Sequence, residues 1–244
     1  MEFNYLDNFI CLFLEQQSLV SAFKEHDPQA KDVIALPTPI TQLIPPIEPL
    51  GVFESCFPLK NGTPRQGILA PDSQGKLRIR PYRNTRPADV LEGLEQYSHV
   101  WIVFWFHGNF NKHCRAKVAP PRLNGDTVGV LATRSPHRLV PIGMTAAKLL
   151  RIENGDTLVL GGIDLIDGTP VLDVKPYVPK YDSIPDAKYP DWIVVENQFK
   201  EVIFTDRAKE QLQDLSSNLK ILKDYDQALS TIRQALILDP RSVY

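Results

Sequence analysis

The residues of this chain that could do chemistry lie in short segments rich in Arg, Gly and Pro. Segment 132–138 (ATRSPHR) carries two arginines four residues apart, Arg134 and Arg138. Pro136 between them disfavours a helix, and a guanidinium group binds carboxylates or phosphates through paired hydrogen bonds. We interpret the segment as an anion-binding loop. A turn with solvated charges is the alternative.

A second candidate begins with two glycines at the predicted end of a strand, Gly161 and Gly162. Paired glycines let a backbone approach a ligand closely. Asp164 and Asp167 follow Ile163 and can accept hydrogen bonds from hydroxyl groups or an amine. We expect this block to bind a polar ligand.

The same block continues with three polar residues at alternate positions, Asp173, Lys175 and Tyr177. Successive side chains of a strand point to opposite faces, so alternate residues share one face. An acid, an ammonium group and a phenol on one face are more typical of a site than of a solvated surface.

Two further segments are weaker candidates. Pro64 stiffens a loop in which Arg65 offers a guanidinium group and Gln66 an amide. His107, followed by Gly108, comes directly after an aromatic strand. Alone, each is as well explained by a surface loop or by the capping of a strand.

Metal and nucleotide motifs are missing from the sequence. The chain has no G-x-G-x-x-G, P-loop, nucleophile-elbow or H-E-x-x-H pattern. His107, His113 and Cys114 are close in sequence but lack a recurrent zinc spacing. We predict no metal site.

Charge is unevenly distributed although the net charge is only −2. Between Lys60 and Arg151 we count 15 Lys and Arg against 5 Asp and Glu. Such segregation suggests a polyanionic partner such as RNA, unless acids from elsewhere in the chain pair with these cations. Three dispersed cysteines indicate a reducing compartment. Without a signal peptide or an apolar run long enough to span a membrane, we predict a cytoplasmic protein.

Three regions differ in texture. Residues 1–48 are predicted to be an N-terminal extension with a proline-rich connector, 49–192 a β-barrel domain, and 193–244 a mostly helical, incomplete appendage. In the last region, apolar residues recur at spacings of three and four, which is typical of amphipathic helices. Part of it is similar to half of a tetratricopeptide repeat, but no second copy follows.

The central region predicts a mainly β fold, a barrel or a sandwich, because short strands recur at about ten-residue spacing. The run 99–106 (HVWIVFWF) predicts a strand buried on both faces. Residues 88–97 are compatible with one short helix. Segment 144–152 is compatible with a helix or a strand, and Asn154-Gly155 after it favours a strand and a hairpin turn. Further strands are expected at 129–133, 157–160 and 171–174.

The motifs resemble those of the TsaA-like family, the TrmO-type tRNA methyltransferases, in order and spacing over residues 51–177. The matching segments are Pro64-Arg65-Gln66, 94–107 (LEQYSHVWIVFWFH), Pro120-Pro121-Arg122-Leu123, 129–143, and 160–177 (LGGIDLIDGTPVLDVKPY).

The resemblance implies a TsaA-like β-barrel with a small helical appendage, which forms a homodimer and binds S-adenosylmethionine near the subunit interface. It also implies N6-methylation of threonylcarbamoyl-adenosine at position 37 of tRNA. The residues that it implies for the cofactor are Pro64, Arg65, Gln66, His107, Gly108, Arg134, Met144, Gly161, Gly162, Ile163 and Asp164. Catalytic roles are expected for Asp167, Lys175 and Tyr177, and substrate binding for Arg122 and Arg138.

Two features depart from the family pattern. Leu139-Val140 stands where the family usually has Pro-Asn after the arginine, and relatives commonly continue beyond Tyr244. Both features support an alternative, a non-catalytic module that binds RNA or a protein on the same barrel. A helical-repeat adaptor is a further alternative that rests on the C-terminal region alone.

Overall fold

The computed structural model describes residues 47–60, 62–108, 115–120, 123, 125–193, 201–216 and 218–237. All of these except Ile47 belong to one compact unit, Glu48–Tyr244. Most of the N-terminal extension and the predicted substrate residue Arg122 lie outside the described residues. The strands are β1 (Gly51–Ser55), β2 (Gln74–Arg78), β3 (His99–Trp105), β4 (Lys117–Val118), β5 (Val128–Gly129), β6 (Ile142–Glu153), β7 (Thr157–Gly161) and β8 (Thr169–Pro176). The α-helices are α1 (Pro87–Leu91), α2 (Pro179–Asp182), α3 (Asp206–Ser216) and α4 (Tyr225–Ile237).

Six strands close into an antiparallel barrel in the order β1-β2-β7-β6-β3-β8. Strands β4 and β5 form a separate two-stranded sheet. The barrel interior is filled by fully buried apolar side chains, among them Phe53, Leu77, Ile102, Leu158 and Leu160. The predicted mainly β barrel with C-terminal helices is confirmed.

Strand β3 is buried on one face only, so the prediction of burial on both faces is wrong. Val100, Ile102 and Phe104 point into the core, whereas Trp105 on the other face is 40% exposed. The physical reason is the antiparallel barrel itself, which has its interior on one side of each strand, while no helix among the described residues buries Trp105 on the other side. The apolar run 99–106 therefore leaves aromatic surface outside the barrel.

The segment after residue 141 is a strand, as the hairpin signal indicated. Asn154 and Gly155 both have positive φ angles, 53° and 69°. Two successive positive φ angles characterise the type I′ turn, whose twist matches that of the flanking strands. This turn joins β6 to β7.

Two local predictions are wrong. Segment 129–133 is a strand only at Gly129, because Val130–Ala132 forms a 3-10 turn that buries Val130. The single helix expected over 88–97 is divided into α1 and a 3-10 turn by Gly93, whose φ of 83° is left-handed. Neither break changes the apolar spacing on which the predictions depended.

Helix α4 buries Ala228, Thr231 and Ala235 and contacts helix α3. Its Ser230 and Gln234 side chains donate hydrogen bonds to Asp72, which lies just before β2. Asp224 begins the helix by accepting a hydrogen bond from the Gln227 amide at 2.8 Å, as an N-cap residue does. No helix in the described ranges is long and apolar enough to cross a membrane.

Candidate functional site

The candidate site lies at one end of the barrel, here called the site end, where β3 and β7 finish and β6 and β8 begin. Three loops meet there. They contain Gln66, Arg134 and Asp164, which come from distant parts of the sequence. Arg134 Nη1 donates a hydrogen bond to Gln66 Oε1 and so joins the first two loops.

Asp164 has a carboxyl group removed from solvent. The Thr145 hydroxyl and the Gly67 backbone amide donate hydrogen bonds to this group, and the Arg134 guanidinium attracts it. Burial outweighs these interactions and raises the pKa of Asp164 from 3.8 to about 6. Within the described part of the chain, the buried Oδ1 atom has no hydrogen-bond partner. An unpartnered carboxylate oxygen costs free energy, and a ligand that supplied the missing donor would offset this cost.

The loop that carries Arg134 is ordered by its own side chains. The Thr133 hydroxyl donates to the Val130 carbonyl at 2.9 Å and accepts from the Ser135 amide at 3.2 Å. Arg138 Nη1 donates to the Thr133 carbonyl at 3.2 Å. These bonds fix the backbone and leave Arg134 exposed, as the prediction of a polar anion-binding loop requires.

The glycines of the second candidate segment have a packing role. A Cβ atom at Gly67 would lie 2.0 Å from the Gly162 carbonyl oxygen, so two backbones meet with no space for a side chain. Gly162 has a φ of +65°, which other residues rarely adopt. A Cβ at Gly161 would contact Leu150. The pair is explained by the close approach of the chain to itself.

Asp167 fastens its loop to the barrel. Its Oδ1 atom accepts a hydrogen bond from the Ser55 amide at 2.8 Å, and its own amide donates to the Phe57 carbonyl at 2.8 Å. A carboxylate held by a backbone donor is placed to support the loop. Its expected catalytic role stays a prediction.

Asp173, Lys175 and Tyr177 lie on the outer face of the barrel. The Lys175 ammonium pairs with the Asp173 carboxylate at 2.7 Å, and the Tyr177 ring packs on Trp101 with centroids 5.3 Å apart. In the sheet, Asp173 and Met144 flank Val103 from opposite sides. This face is opposite to the buried one that carries Thr145.

The remaining predicted cofactor residues are distributed around the site end. Pro64 is buried and Arg65 is exposed. His107 has a buried Nδ1 atom with no partner among the described residues, and its Nε2 lies 3.7 Å from the position of a Cβ on Gly168. Met144 is 55% exposed on the outer face. The structure therefore brings Gln66, Arg134 and Asp164 together but separates Met144 from them by the thickness of the sheet.

Sequence reasoning missed Thr145 and Gly67, which donate hydrogen bonds to the Asp164 carboxyl group together with its own backbone amide. Thr145 is a buried hydroxyl in a strand whose other inward residues are apolar or small. That single polar residue at an inward position is the signal that could have identified it. The contribution of Gly67 is a backbone amide, which side-chain patterns do not reveal.

Part of the basic middle region is neutralised by ion pairs. Lys76 and Arg151 both pair with Glu153, at 2.7 and 2.6 Å, and Arg78 pairs with Asp156 at 2.8 Å. At the site end, Arg134 forms no ion pair within 4.0 Å with another described residue. Acidic residues from elsewhere in the chain thus neutralise the cations at the end of the barrel opposite to the site end. At the site end, the positive charge of Arg134 is not neutralised in this way.

Metal and thiol chemistry receive no support from the described residues. No group of three or more His, Cys, Asp or Glu residues among them could hold a metal ion. Burial raises the pKa of the Cys56 thiol to about 11, which disfavours the nucleophilic thiolate.

Comparisons with known proteins agree with this architecture. Residues 52–183 match the family model described as the tRNA-methyltransferase O N-terminal domain. A tRNA (adenine(37)-N6)-methyltransferase from Homo sapiens is 53% identical over 153 residues, which are 62% of this chain and 34% of that protein. One of the same name from Escherichia coli K12 is 40% identical over 202 residues, which are 81% of this chain and 82% of that protein. The crystal structure of TrmO from P. aeruginosa superposes with a TM-score of 0.65 at 37% identity, covering 81% of this chain and 82% of that one.

A closed six-stranded antiparallel barrel with a polar loop cluster at one end defines the structural class. The chain belongs to the tRNA-methyltransferase O family. It spans about a third of the length of the mammalian relatives it matches, 34% of the human protein and 31% of the mouse and rat proteins.

Proposed function

We propose that this chain is an S-adenosylmethionine-dependent tRNA methyltransferase that acts on N6 of threonylcarbamoyl-adenosine at position 37. The observation that carries the proposal is the buried Asp164 oxygen without a partner among the described residues, close to Arg134. Membership of the family, and the names of relatives as tRNA (adenine(37)-N6)-methyltransferases, support the reaction class.

The residues at the site end fit the cofactor by charge and hydrogen-bonding type. S-adenosylmethionine has a carboxylate, an ammonium group and ribose hydroxyls, and it supplies a methyl group from its sulfonium. Arg134 and Gln66 would hold the carboxylate. Asp164 would accept hydrogen bonds from ribose hydroxyls or from the ammonium group. The other residues proposed for the pocket are Pro64, Arg65, His107, Gly108, Met144, Gly161, Gly162 and Ile163.

The substrate side requires positioning and a route for one proton. The acceptor N6 carries a hydrogen that must leave as the methyl group arrives, so a nearby base would assist. Lys175 and Tyr177 are our candidates to assist, with Asp167 as a further one. Because the Asp173 carboxylate raises the pKa of Lys175, Lys175 would assist through its positive charge, and Tyr177 or Asp167 would take the proton. Lys175 and Tyr177 lie on the outer face beside the first half of β3, away from the site end of their own subunit, so we propose that they act on the site of a second subunit.

A homodimer is supported by the apolar outer surface of β3 and β6. Trp105, Ile142 and Met144 form a continuous patch there, and they are 40%, 36% and 55% exposed. The neighbouring Leu139 and Val140 are 63% and 58% exposed. Contiguous exposed apolar surface of this kind usually marks an interface. We propose that this patch pairs with its copy.

Leu139 and Val140 also favour a second candidate function, a non-catalytic module on the same barrel. Both apolar side chains are exposed just before β6, so they would suit a protein partner as well as a dimer. The alternative predicts no methyl transfer by the chain, whereas the proposed function requires it.

The test is methyl transfer from labelled S-adenosylmethionine to two tRNA preparations, one with and one without the threonylcarbamoyl group. The proposal predicts label in the first preparation only. The Arg134→Ala variant should lose most of the wild-type rate of methyl transfer. Arg151→Ala is the matched control, because Arg151 is an exposed arginine paired with Glu153 at the opposite end of the barrel. No transfer to either tRNA would favour the non-catalytic module.

Methyl transfer to tRNA should also slow as the salt concentration rises, because tRNA binding to exposed Arg and Lys releases counterions.

We further propose that the chain is divided into an N-terminal extension (1–48), a barrel domain (49–192) and a C-terminal appendage (193–244). We also propose a cytoplasmic location, as the sequence predicts.

A further inference from the structure

We infer that helix α4 positions the site residue Asp164 through a chain of hydrogen bonds that runs from α4 through Asp72 and Ser73. The expected effect on cofactor affinity rests on the proposed function. Asp72, Ser230 and Gln234, where the chain begins, are not among the residues proposed to contact the cofactor.

The first step is a set of hydrogen bonds between α4 and Asp72. Ser230 Oγ and Gln234 Nε2 each donate to Asp72 Oδ2 at 2.6 Å. The Asp72 backbone amide in turn donates a hydrogen bond to Gln234 Oε1 at 3.1 Å. Ser230 and Gln234 are four residues apart and therefore lie on the same face of the helix.

The second step is the bond between Ser73 and the strand-end loop. Ser73 is fully buried, and its hydroxyl accepts a hydrogen bond from the Ile163 amide at 2.8 Å. Its carbonyl oxygen accepts from the Gly162 amide at 2.9 Å. The same hydroxyl donates to the Ala70 carbonyl at 2.6 Å, which closes the 70–73 turn on itself.

The two steps are continuous in the chain. Asp72 precedes Ser73 directly, and Ile163 precedes Asp164 directly. A displacement of Asp72 would therefore move the amides of Gly162 and Ile163, and with them the buried carboxyl group. Ala228 and Ala235 of helix α4 are buried as well. The polar contacts with Asp72 fix the position of α4 relative to the 70–73 turn. A change in that position would therefore change the position of the loop that carries Asp164.

Asp72 allows a sharp test because one substitution keeps the acceptor and another removes it. In Asp72→Asn the side-chain oxygen can still accept from Ser230 and Gln234, whereas Asp72→Ala has no acceptor. Gln234→Ala breaks the contact from the helix side. Asp226→Asn is the control on α4, because Asp226 is an exposed residue of the first helical turn.

Three measurements are made on the full chain. Amide hydrogen exchange is followed at Gly162 and Ile163, with the β3–β6 ladder as an internal reference for global opening. Calorimetry gives the dissociation constant for S-adenosylmethionine, and steady-state kinetics give its KM and kcat.

Asp72→Ala and Gln234→Ala should raise the cofactor Kd and KM by about five- to tenfold, a coupling of ordinary size. The kcat at saturating cofactor should change little. Exchange at Gly162 and Ile163 should become faster while the β3–β6 amides keep their rates. Asp72→Asn and Asp226→Asn should both keep the wild-type Kd, KM and exchange rates.

Unchanged exchange at Gly162 and Ile163 in Gln234→Ala and Asp72→Ala would overturn the inference, and so would an unchanged Kd in a chain that binds the cofactor. Absence of cofactor binding by the wild-type chain would instead contradict the proposed function. In that case the exchange measurement still decides whether α4 positions the loop.

Discussion

The Thr145 hydroxyl donates a hydrogen bond to the Asp164 carboxyl group and so ties the inward face of β6 to the loop after β7. The carboxyl group keeps one buried oxygen without a partner among the described residues. Burial of an acid in this state destabilises the folded chain, and such local costs are typical of functional sites. Asp164 is therefore the residue at which stability and proposed function should conflict most clearly.

Asp164→Asn should stabilise the ligand-free protein at neutral pH. The carboxyl pKa is 3.8 ordinarily and about 6 in the fold, so the folded state holds its proton more tightly. Stability from this group falls as pH rises from about 4 to 6, and the full cost is present above that range. The shift corresponds to about 3 kcal/mol, which is an upper limit for the gain. Urea denaturation at pH 7.5 and pH 4 measures it, and destabilisation at pH 7.5 would contradict the account.

Cofactor affinity should depend on the ionisation of Asp164. The charged carboxylate is the better acceptor for hydroxyl or ammonium donors. Its pKa near 6 therefore predicts affinity that is constant above about pH 7 and falls as pH decreases through 6. Calorimetric titrations from pH 5 to pH 8 test this. Asp164→Asn should bind weakly and without that pH dependence, and the same inflection in this variant would assign the titration to another group.

Arg134→Ala should weaken cofactor binding by about 10- to 100-fold, the effect of losing a hydrogen bond to a charged group. Arg134→Lys should recover only part of this, because an ammonium group cannot make two parallel hydrogen bonds. Since Arg134 is exposed, the melting temperature should hardly change. An effect equal to that of Arg151→Ala would remove Arg134 from the site.

Gly67→Ala should disrupt the site by separating two loops. Its Cβ would lie 2.0 Å from the Gly162 carbonyl oxygen, so backbone must move. We expect a loss of about 1–3 kcal/mol in the free energy of unfolding and weaker cofactor binding.

Gly129→Ala is the matched control for this substitution. Gly129 has an ordinary φ of −55°, and nothing lies within 4 Å of the position that its Cβ would take. It should keep both stability and binding, and equal losses in the two variants would show that the close approach at Gly67 is not the cause.

Met144→Glu should convert the proposed dimer to a monomer, because it places a charge within the exposed apolar patch of β3 and β6. Sedimentation velocity measures the change. Leu59→Glu is the control, since Leu59 is 67% exposed and belongs to the loop after β1, outside β3 and β6. A wild-type chain that sediments as a monomer would contradict the dimer.

Mixing two inactive variants tests whether a site is shared between subunits. Arg134→Ala and Tyr177→Phe, combined after denaturation and refolding, should recover part of the activity, because a heterodimer has one intact composite site. Continued inactivity of the mixture would place all the essential residues within one subunit.

The sequence predicts the barrel well because strand alternation and the Asn154-Gly155 turn are local signals. It fails at β3, where an apolar run does not reveal that one face of an antiparallel barrel is exposed. It also fails at Val130, since tertiary burial turned a strand-like segment into a 3-10 turn.

For the site, residue types identified Arg134 and Asp164, but not how they are held. The Thr145 hydroxyl and Gly67 amide become visible only when distant segments meet. The same holds for Asp72, which has no motif of its own and contacts Ser230 and Gln234 far along the chain. Conversely, Asp173, Lys175 and Tyr177 share one face as their spacing predicts, yet that face is the outer one.

The central claim is that the site end binds S-adenosylmethionine through Asp164 and Arg134, and calorimetric titration of the full chain tests it most directly. The account predicts saturable binding by the wild-type protein and no measurable binding by Asp164→Ala/Arg134→Ala. It also predicts wild-type binding by Arg151→Ala/Glu153→Gln, a matched acid–arginine pair at the opposite end of the barrel. Absence of binding by the wild-type chain, or binding that persists in the first double variant, would contradict the account.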